Sequence, residues 1–218
     1  VSVNYVDIIA RNFKNLPASE FNMLSLFRVM ARFAFGFSKP KKQILGNTFA
    51  GEVEDVGDAV KQFRVGEQVF GYTGETMGAY AEYLCIPEDG IIDAKPSNMT
   101  YEEAAAVPYG ATMALCLLRK VNVQEGQRVL IIGASGAIGS AAVQLAVHHF
   151  GAEVTGVCST QGIEYVKSLG AVRVIDYKKE DFTKNGESYD LIIDILGKGS
   201  FSKYRASLRQ KGIYMPVS

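Results

Sequence analysis

The sequence lacks an excess of charge of either sign, because its 23 lysines and arginines balance its 23 aspartates and glutamates. Proteins that bind nucleic acid or an anionic membrane through a broad electrostatic field carry a basic excess. Partners of that kind are therefore not expected. The same balance, with a 48% hydrophobic content, excludes an intrinsically disordered chain, which combines low hydrophobicity with high net charge.

Cysteine is scarce, and Cys85, Cys116 and Cys158 are far apart in the sequence. An odd and scattered set excludes a fully paired disulfide framework and a CxxC metal knuckle. Such cysteine usage fits a reducing compartment, so we expect a cytoplasmic protein. The first residues, Val1 to Tyr5, show neither an initiator methionine nor a targeting signal.

The sequence also lacks an uninterrupted hydrophobic run of membrane-spanning length. The longest charge-free stretch, residues 129–147, approaches that length but contains glycine, serine and glutamine. A strand, a glycine turn and a helix buried in a parallel sheet give the same hydropathy and explain the glycines. We therefore expect no membrane span.

The first half of the chain is predicted to consist of short strands and loops. Apolar and polar residues alternate in residues 51–57, and residues 65–71 and 79–86 also have strand-like patterns. Short strands between glycine-rich turns are typical of a small barrel or sandwich. In contrast, residues 21–37 predict a helix with a broad apolar face. That helix either packs on the barrel or is a mobile cover over an apolar substrate pocket.

The second half alternates strands with helices after a capping box formed by Thr100 and Glu103. Strands are predicted at residues 128–132, 153–157, 172–175, 191–194 and 212–217, and helices at residues 136–149, 163–169 and 200–208. This alternation predicts βαβ units and a parallel sheet. We place the domain boundary between residues 97 and 98.

A glycine turn joins the first of these strands to its helix. Here Gly133 permits the tight turn, Gly136 lets the backbone approach a pyrophosphate, and Gly139 lets helix and strand pack closely. The N–H groups near the helix start bind phosphate oxygens. The strand–turn–helix context favours dinucleotide binding over a purely structural turn, although the spacing is GxxGxxG. The candidate pyrophosphate-binding residues are Gly133, Ser135, Gly136, Ala137, Ile138 and Gly139.

The end of the next strand indicates which dinucleotide is bound. An acid there would hydrogen-bond the adenosine ribose and repel a 2′-phosphate, whereas the sequence has Cys158, Ser159 and Thr160. Two hydroxyls and their backbone N–H groups suit a phosphate, and Tyr177 with Lys178 would close the same pocket. We therefore expect NADPH rather than NADH. The alternative for Lys178 and Lys179 is a solvated turn.

Several segments together form a specific pattern: ILGNTFAGEV at residues 44–53, GAYAEY at 78–83, EEAAAVP at 102–108, the glycine turn at 133–139, and SLGA at 168–171 with IDY at 175–177. The pattern resembles the medium-chain dehydrogenase/reductases, in their zinc-independent quinone oxidoreductase branch, over essentially the whole chain. The resemblance implies an α/β protein: a GroES-like β-barrel domain in residues 1–97, a Rossmann doubly wound parallel sheet in residues 98–218, and a cofactor in the cleft between them.

The resemblance also implies that no metal is bound. Where zinc alcohol dehydrogenases have a cysteine, a histidine and a third catalytic ligand, this sequence has Asn4, Asn47 and Pro108. Two amides and a proline cannot replace thiolate and imidazole at a tetrahedral zinc site. Without zinc there is no Lewis acid to polarise an alcohol or a simple carbonyl. The resemblance therefore implies hydride transfer from NADPH to a quinone or an α,β-unsaturated carbonyl.

Reduction of such an acceptor places negative charge on a distal oxygen, which hydrogen-bond donors stabilise. Asn4, Asn47 and Thr112 match family positions near the nicotinamide, where they donate to that oxygen or hold the nicotinamide amide. For Asn4 and Asn47, backbone capping in a loop is the alternative. Tyr72, Tyr80 and Tyr109 are candidate aromatic walls or proton donors, and for each of them plain packing is the alternative. By resemblance, Leu196 lies in a turn along the adenosine side.

Two other functions stay open: a non-catalytic NADPH-binding sensor or assembly protein on the same fold, and a zinc-independent alcohol dehydrogenase or acyl reductase. By resemblance, both domains are incomplete, because the first barrel hairpin, the sixth sheet strand and the C-terminal return segment are missing. The chain is then an ordered or expressed part, a proteolytic product, or a naturally short polypeptide. The family commonly dimerises through the missing edge strand, which implies a homodimer of the full-length protein.

Overall fold

The computed structural model of the chain describes residues 1–12 and 43–217. The chain divides into two compact units, Val1–Tyr109 and Gly110–Ser218. The helix predicted at residues 21–37 lies outside the described residues. The proposed domain boundary at residues 97 and 98 stays a prediction.

The first unit contains a helix and an antiparallel sheet. Helix α1 spans Tyr5–Asn12, and strands β1 (Thr48–Glu52), β2 (Gln68–Tyr72) and β3 (Ile91–Ala94) pair in the order β1-β2-β3. Its small core contains Phe49, Val69 and Ala79. A side chain at Gly71 would overlap the Phe49 ring, so close packing at this point requires glycine.

The long helix α2, Tyr101–Lys120, begins at the predicted capping box. The Thr100 N–H donates to Glu103 Oε2 at 2.9 Å, and the Glu103 N–H donates to Thr100 Oγ1 at 3.2 Å. These bonds satisfy two groups that a helix start leaves without partners. The division between the two units falls within this helix, at Tyr109 and Gly110.

The strand predicted at residues 79–86 is wrong, and β3 was not foreseen. The N–H groups of Ala79 and Tyr80 donate instead to the carbonyls of Gly46 and Leu45, in a loop. Met77 and Gly78, just before, both have positive φ and turn the chain away from the sheet. The third position in the sheet is taken by β3, whose short sequence lacks clear alternation but pairs with β2 from Val69↔Ala94 to Tyr72↔Ile91. The predicted strand at residues 51–57 also ends early, because β1 stops at Glu52.

The second unit is built on a five-stranded parallel sheet with the order β6-β5-β4-β7-β8. Its strands are β4 (Arg128–Ile132), β5 (Glu153–Cys158), β6 (Arg173–Asp176), β7 (Tyr189–Asp194) and β8 (Leu208–Pro216), and its helices after α2 are α3 (Ala137–His148), α4 (Ile163–Ser168) and α5 (Phe201–Tyr204). The predicted parallel sheet is confirmed. The last predicted helix is shorter than expected: it ends at Tyr204, and a 3-10 turn at Arg205–Ser207 leads into β8.

The sheet of the second unit is buried on both faces. Val129 and Ile131 of β4 pack into one apolar cluster, and Leu130 and Ile132 pack into another on the opposite face. Burial on both faces explains why residues 129–147 are so apolar, since they form β4, the glycine turn and α3. Among the described helices, none is both long enough and apolar enough to cross a membrane.

The strand order reverses between β4 and β7. From β4 the chain continues through β5 to β6 on one side, and from β7 it continues to β8 on the other. In open parallel sheets, ligands bind outside the carboxyl ends of the strands at such a point. The residues that follow β4 and β7 are Gly133 and Ile195. The fold therefore predicts a ligand site at the glycine turn and at the loop after Asp194.

Candidate functional site

In the first unit, two buried asparagines pair their side-chain amides. Asn4 Nδ2 donates to Asn47 Oδ1 at 2.9 Å and to Thr48 Oγ1 at 3.3 Å. Both amide hydrogens of Asn4 are therefore used inside the protein, whereas the Nδ2 group of Asn47 is not used in the pair. Asn4 and Asn47 are only 7% and 1% exposed. Of these two candidates, Asn47 is thus the one whose amide N–H groups are not used in the pair.

Asn4 is also the residue before helix α1, and Asp7 lies in the first turn of that helix. The Asp7 N–H donates to the Asn4 carbonyl at 3.0 Å, and Asp7 Oδ2 accepts the Asn4 N–H at 2.9 Å. This is the acidic half of a capping box. The side chain of Asn4 is thereby left to reach Asn47 rather than its own helix, so the capping alternative applies to its backbone only.

In the part of the chain that the structure describes, three donors bind the buried Asp7 carboxylate. Besides the Asn4 N–H, its Oδ1 accepts the Gly46 N–H at 3.0 Å and its Oδ2 accepts the Tyr80 O–H at 3.0 Å. Asp7 is 3% exposed. Within residues 1–12 and 43–217, no salt bridge contains it. A carboxylate can be buried when hydrogen bonds replace the lost water, and here the donors are the residue before helix α1 and two loop residues.

The Asp7 charge contributes to raised pKa values at three tyrosines of the same unit. Burial first, and then the Asp7 charge, raise the pKa of Tyr109. Burial, followed by Tyr109, Glu75 and Asp7, raises the pKa of Tyr72, whose ring centre lies 6.0 Å from that of Tyr109. Burial and the hydrogen bond donated to Asp7 raise the pKa of Tyr80 to about 12. All three phenols therefore stay protonated at neutral pH, and the proton of Tyr80 is held by Asp7.

The donor set in this unit does not fit a zinc ion. At the positions that resemble those of zinc ligands, the chain has the paired amides of Asn4 and Asn47 and the ring of Pro108, a residue inside helix α2. A tetrahedral zinc site needs thiolate, imidazole or carboxylate donors. Among the residues that the structure describes, no three His, Cys, Asp or Glu side chains cluster as metal ligands.

In the second unit, the glycine turn follows β4 as predicted. Gly133 has a φ of +85°, in the left-handed region that favours glycine. A side chain at Gly139 would overlap the Gly133 carbonyl and the Ala134 backbone, so the predicted close packing at Gly139 is confirmed. Gly136 differs from both, because a Cβ there would meet only the Gly133 carbonyl oxygen, at 3.5 Å. One side of Gly136 is thus open for a ligand.

Helix α3 presents its N-terminus next to that open side. Gly136 is its N-cap, and the first helical N–H groups have no intrahelical acceptor. Over the described residues, no backbone carbonyl accepts from Ala137 or Ile138. Ser135, Gly136 and Ala137 are exposed, and Ile138 is half-buried. A 12-residue helix with free N–H groups and a glycine at its cap suits a pyrophosphate.

The carboxyl end of β5 holds the residues predicted to select the cofactor. Ser159 precedes a short turn but makes no side-chain capping bond to it, so its hydroxyl is available to a ligand. Thr160 donates its hydroxyl proton to Asp176 Oδ2 at 2.6 Å. Cys158 is buried, and burial, with the charge on Asp176, raises the pKa of its thiol. Of the three residues, Ser159 is the one whose hydroxyl can still donate to a phosphate.

Sequence reasoning missed Asp176, which lies at the end of the neighbouring strand β6. The Thr160 hydroxyl and the Lys178 N–H, with the charges of Lys179 and Lys178, hold the pKa of Asp176 below its usual range. No acid follows β5 itself, but β6 pairs with β5 at Cys158↔Asp176 and so brings this carboxylate to Thr160. The sequence feature that could have indicated Asp176 is an acid at the end of the next predicted strand, because neighbouring parallel strands end side by side.

The other candidates lie in separate places on the second unit. Thr112 is an exposed residue of helix α2, and Tyr177 is exposed directly after β6. Leu196 covers the turn, because a Cβ on Gly133 would lie 3.2 Å from its Cγ. Gly110 was also missed: a side chain there would overlap the Ala137 carbonyl, so α2 passes directly against the start of α3.

The fold agrees with the comparisons to known proteins. Residues 1–96 match the family model of the alcohol dehydrogenase GroES-like domain, and residues 137–218 match that of the zinc-binding dehydrogenases. The chain belongs to the medium-chain dehydrogenase/reductase superfamily, in its quinone oxidoreductase-like branch.

Similar proteins include the 2-methylene-furan-3-one reductase of Solanum lycopersicum, 34% identical over 84% of this chain and 49% of that protein. The chloroplastic NADPH-dependent alkenal/one oxidoreductase of Arabidopsis thaliana is 33% identical over 72% of this chain and 43% of its own length. The chain therefore spans about half the length of these curated relatives. Among solved structures, the quinone oxidoreductase of Coxiella burnetii superposes with a TM-score of 0.79 and 28% identity, covering 98% of this chain and 63% of that one.

Proposed function

We propose that the protein is a zinc-independent oxidoreductase that uses NADPH to reduce a quinone or an α,β-unsaturated carbonyl. The observation that carries the proposal is the buried amide pair of Asn4 and Asn47, 2.9 Å apart, at positions where zinc relatives have metal ligands. Amide N–H groups stabilise a developing oxyanion without a metal. Two of the similar proteins, an alkenal/one oxidoreductase and a 2-methylene-furan-3-one reductase, support an enone as the acceptor.

The glycine turn from Gly133 to Gly139 and the start of helix α3 fit the pyrophosphate of the dinucleotide. When bound, NADPH supplies a hydride to the electron-poor carbon of the acceptor. Asn47 then donates a hydrogen bond to the acceptor oxygen, on which negative charge develops. Tyr109, which is protonated at neutral pH, is the proposed proton donor, and solvent restores its proton. Asn4 holds Asn47 in place.

The test is NADPH oxidation by the purified full-length protein with para-benzoquinone, alkenals and alkenones as acceptors. Turnover with either class is expected. Absence of turnover across all acceptors, with NADPH bound tightly, would favour a non-catalytic cofactor-binding protein. Oxidation of simple alcohols in place of enone reduction would favour an alcohol dehydrogenase. The cytoplasmic location and the homodimer of the full-length protein are also proposals.

Preference for NADPH over NADH is proposed to depend on Ser159, whose hydroxyl makes no capping bond. A hydrogen bond to a charged phosphate contributes enough that Ser159→Ala should reduce the NADPH-to-NADH affinity ratio about tenfold. The matched control is Ser202→Ala, since Ser202 is exposed and bonds only to Ser200 among the described side chains. Equal binding of both cofactors by the unmodified protein, or an unchanged ratio in Ser159→Ala, would contradict this assignment.

A further inference from the structure

We infer that Asp7 is a positioning residue for the candidate reduction site: it fixes Asn4 and Asn47 so that Asn47 meets the acceptor oxygen. Asp7 is buried, so it acts through its neighbours and not on a substrate directly. The inference rests on the proposed function and assigns a role to a residue that the function itself does not require. The inference follows from the positions of the three groups that donate to the Asp7 carboxylate.

Two of the three donors are backbone groups of the amide pair or its immediate neighbour. Asp7 Oδ2 accepts the N–H of Asn4 itself, and Oδ1 accepts the N–H of Gly46, the residue directly before Asn47. Asn4 and Asn47 are 43 residues apart in sequence. A single side chain therefore holds the backbone on both sides of a contact that no local structure would maintain.

The third donor fixes the same loop from another direction. The Tyr80 O–H binds Asp7 Oδ2, and the Tyr80 N–H binds the Leu45 carbonyl. Gly46 has a φ of +87°, and a Cβ there would overlap the Tyr80 ring. The segment leading into Asn47 is thus held between Asp7 and Tyr80. Tyr80 belongs to this support, because its proton is committed to Asp7.

Only a carboxylate can serve all three donors. It presents acceptors alone, and charge-assisted hydrogen bonds are about twice as strong as neutral ones. In an Asp7→Asn variant, one of the two oxygens becomes an NH2 group that faces an N–H or O–H donor. The backbone at Asn4 or at Gly46 then loses its anchor, and the Asn47 amide loses its fixed direction.

The decisive experiment is a double-mutant cycle in the full-length protein. Asp7→Asn is expected to lower kcat for an alkenone about tenfold. In an Asn47→Ala background, the same substitution should lower kcat less than twofold, because the group that Asp7 positions is already gone. Equal losses in both backgrounds would overturn the inference, since general destabilisation does not depend on Asn47. Asp55→Asn is the matched control, because Asp55 is exposed and its side chain bonds, among the described residues, only to the adjacent Val56 N–H.

A second cycle covers the case in which Asp7→Asn does not fold. Tyr80→Phe removes one donor and keeps the ring, so a loss of about two- to threefold is expected, again only when Asn47 is present. A loss that persists in the Asn47→Ala background would make Tyr80 a direct proton donor and overturn the inference.

The inference remains testable if the protein reduces no quinone or enone, a result that would refute only the proposed function. In protein labelled with [15N]asparagine, the side-chain signals of Asn47 are identified by their loss in Asn47→Ala. Asp7→Asn should shift these signals, beyond the one pair that it adds, whereas Asp55→Asn should not. Unshifted Asn47 signals in a folded Asp7→Asn protein would overturn the positioning role.

Discussion

At the scale of single residues, Gly136 and Gly139 belong to one turn but meet different surroundings. A Cβ on Gly139 would overlap backbone atoms of Gly133 and Ala134, which cannot move aside without disturbing β4 and α3. A Cβ on Gly136 would enter nearly open space, and its φ of −78° is accessible to any residue. The requirement for glycine is therefore packing in one case and, by our proposal, ligand approach in the other.

Alanine substitution should separate these two roles. Gly139→Ala is expected to lower the free energy of unfolding by about 1–3 kcal/mol, the usual cost of overpacking. Gly136→Ala should change it by less than about 1 kcal/mol, the range of N-cap exchanges, but should weaken NADPH binding at least tenfold. Urea unfolding followed by circular dichroism and titration of NADPH fluorescence measure the two effects. Equal destabilisation by both variants would contradict this reading.

At the scale of helices and strands, the parallel sheet could be predicted because its central strands are buried on both faces. Burial leaves a continuous apolar run, as in β4, and glycines close the helices between strands, as Gly151 does after α3 with a φ of +66°. The antiparallel sheet could not be predicted as well. Residues 79–86 alternate like a strand, but their first N–H groups bond to a loop, while β3 is defined by its partner β2.

The same contrast applies to the candidate site. The glycine turn could be found because all its parts are adjacent in sequence. Asp7 and Asp176 could not, because their roles depend on Gly46, Tyr80 and Thr160, which are 39, 73 and 16 residues away from them. Both acids do follow local rules, one in a capping box and one at a strand end. Those rules predict the position of a carboxylate but not the distant donors that meet it.

The meeting point of β7, α5 and β8 gives a pH-dependent prediction. Burial, followed by the charge on Asp194, raises the pKa of Tyr204 to about 12, above an unfolded value of about 10. Because the folded state favours the neutral phenol, this contribution to stability is complete below about pH 10 and is lost as the pH rises toward 12. The free energy of unfolding should therefore fall in that interval.

Replacing Tyr204 tests this directly. In Tyr204→Phe, the fall in unfolding free energy between about pH 10 and 12 should be shallower than in the unmodified protein. Tyr165→Phe is the control, because the Tyr165 side chain is exposed, and it should not change the slope. Urea unfolding at a series of pH values measures the slopes. Identical slopes for Tyr204→Phe and the unmodified protein would show that Tyr204 ionises alike in both states.

At the scale of the whole molecule, the candidate residues separate by unit. The proposed catalytic residues Asn4, Asn47 and Tyr109 all lie in Val1–Tyr109, and the proposed dinucleotide-binding residues, from Thr112 to Leu196, all lie in Gly110–Ser218. The amide pair is held by loops of the first unit, and the glycine turn is held by the sheet of the second. Each set thus has its own structural support, and the two should control different kinetic constants.

Variants in the two units should accordingly change different steps of the same reaction. Asn47→Ala is expected to lower kcat about 100-fold, the cost of losing one oxyanion donor, with the NADPH dissociation constant changed less than about twofold. Gly136→Ala should do the reverse, raising the KM for NADPH while kcat at saturation changes less than about threefold. Asn98→Ala, an exposed asparagine of the first unit, controls for substitution alone. If Asn47→Ala weakened NADPH binding as strongly as Gly136→Ala, Asn47 would hold the nicotinamide amide instead of the acceptor oxygen.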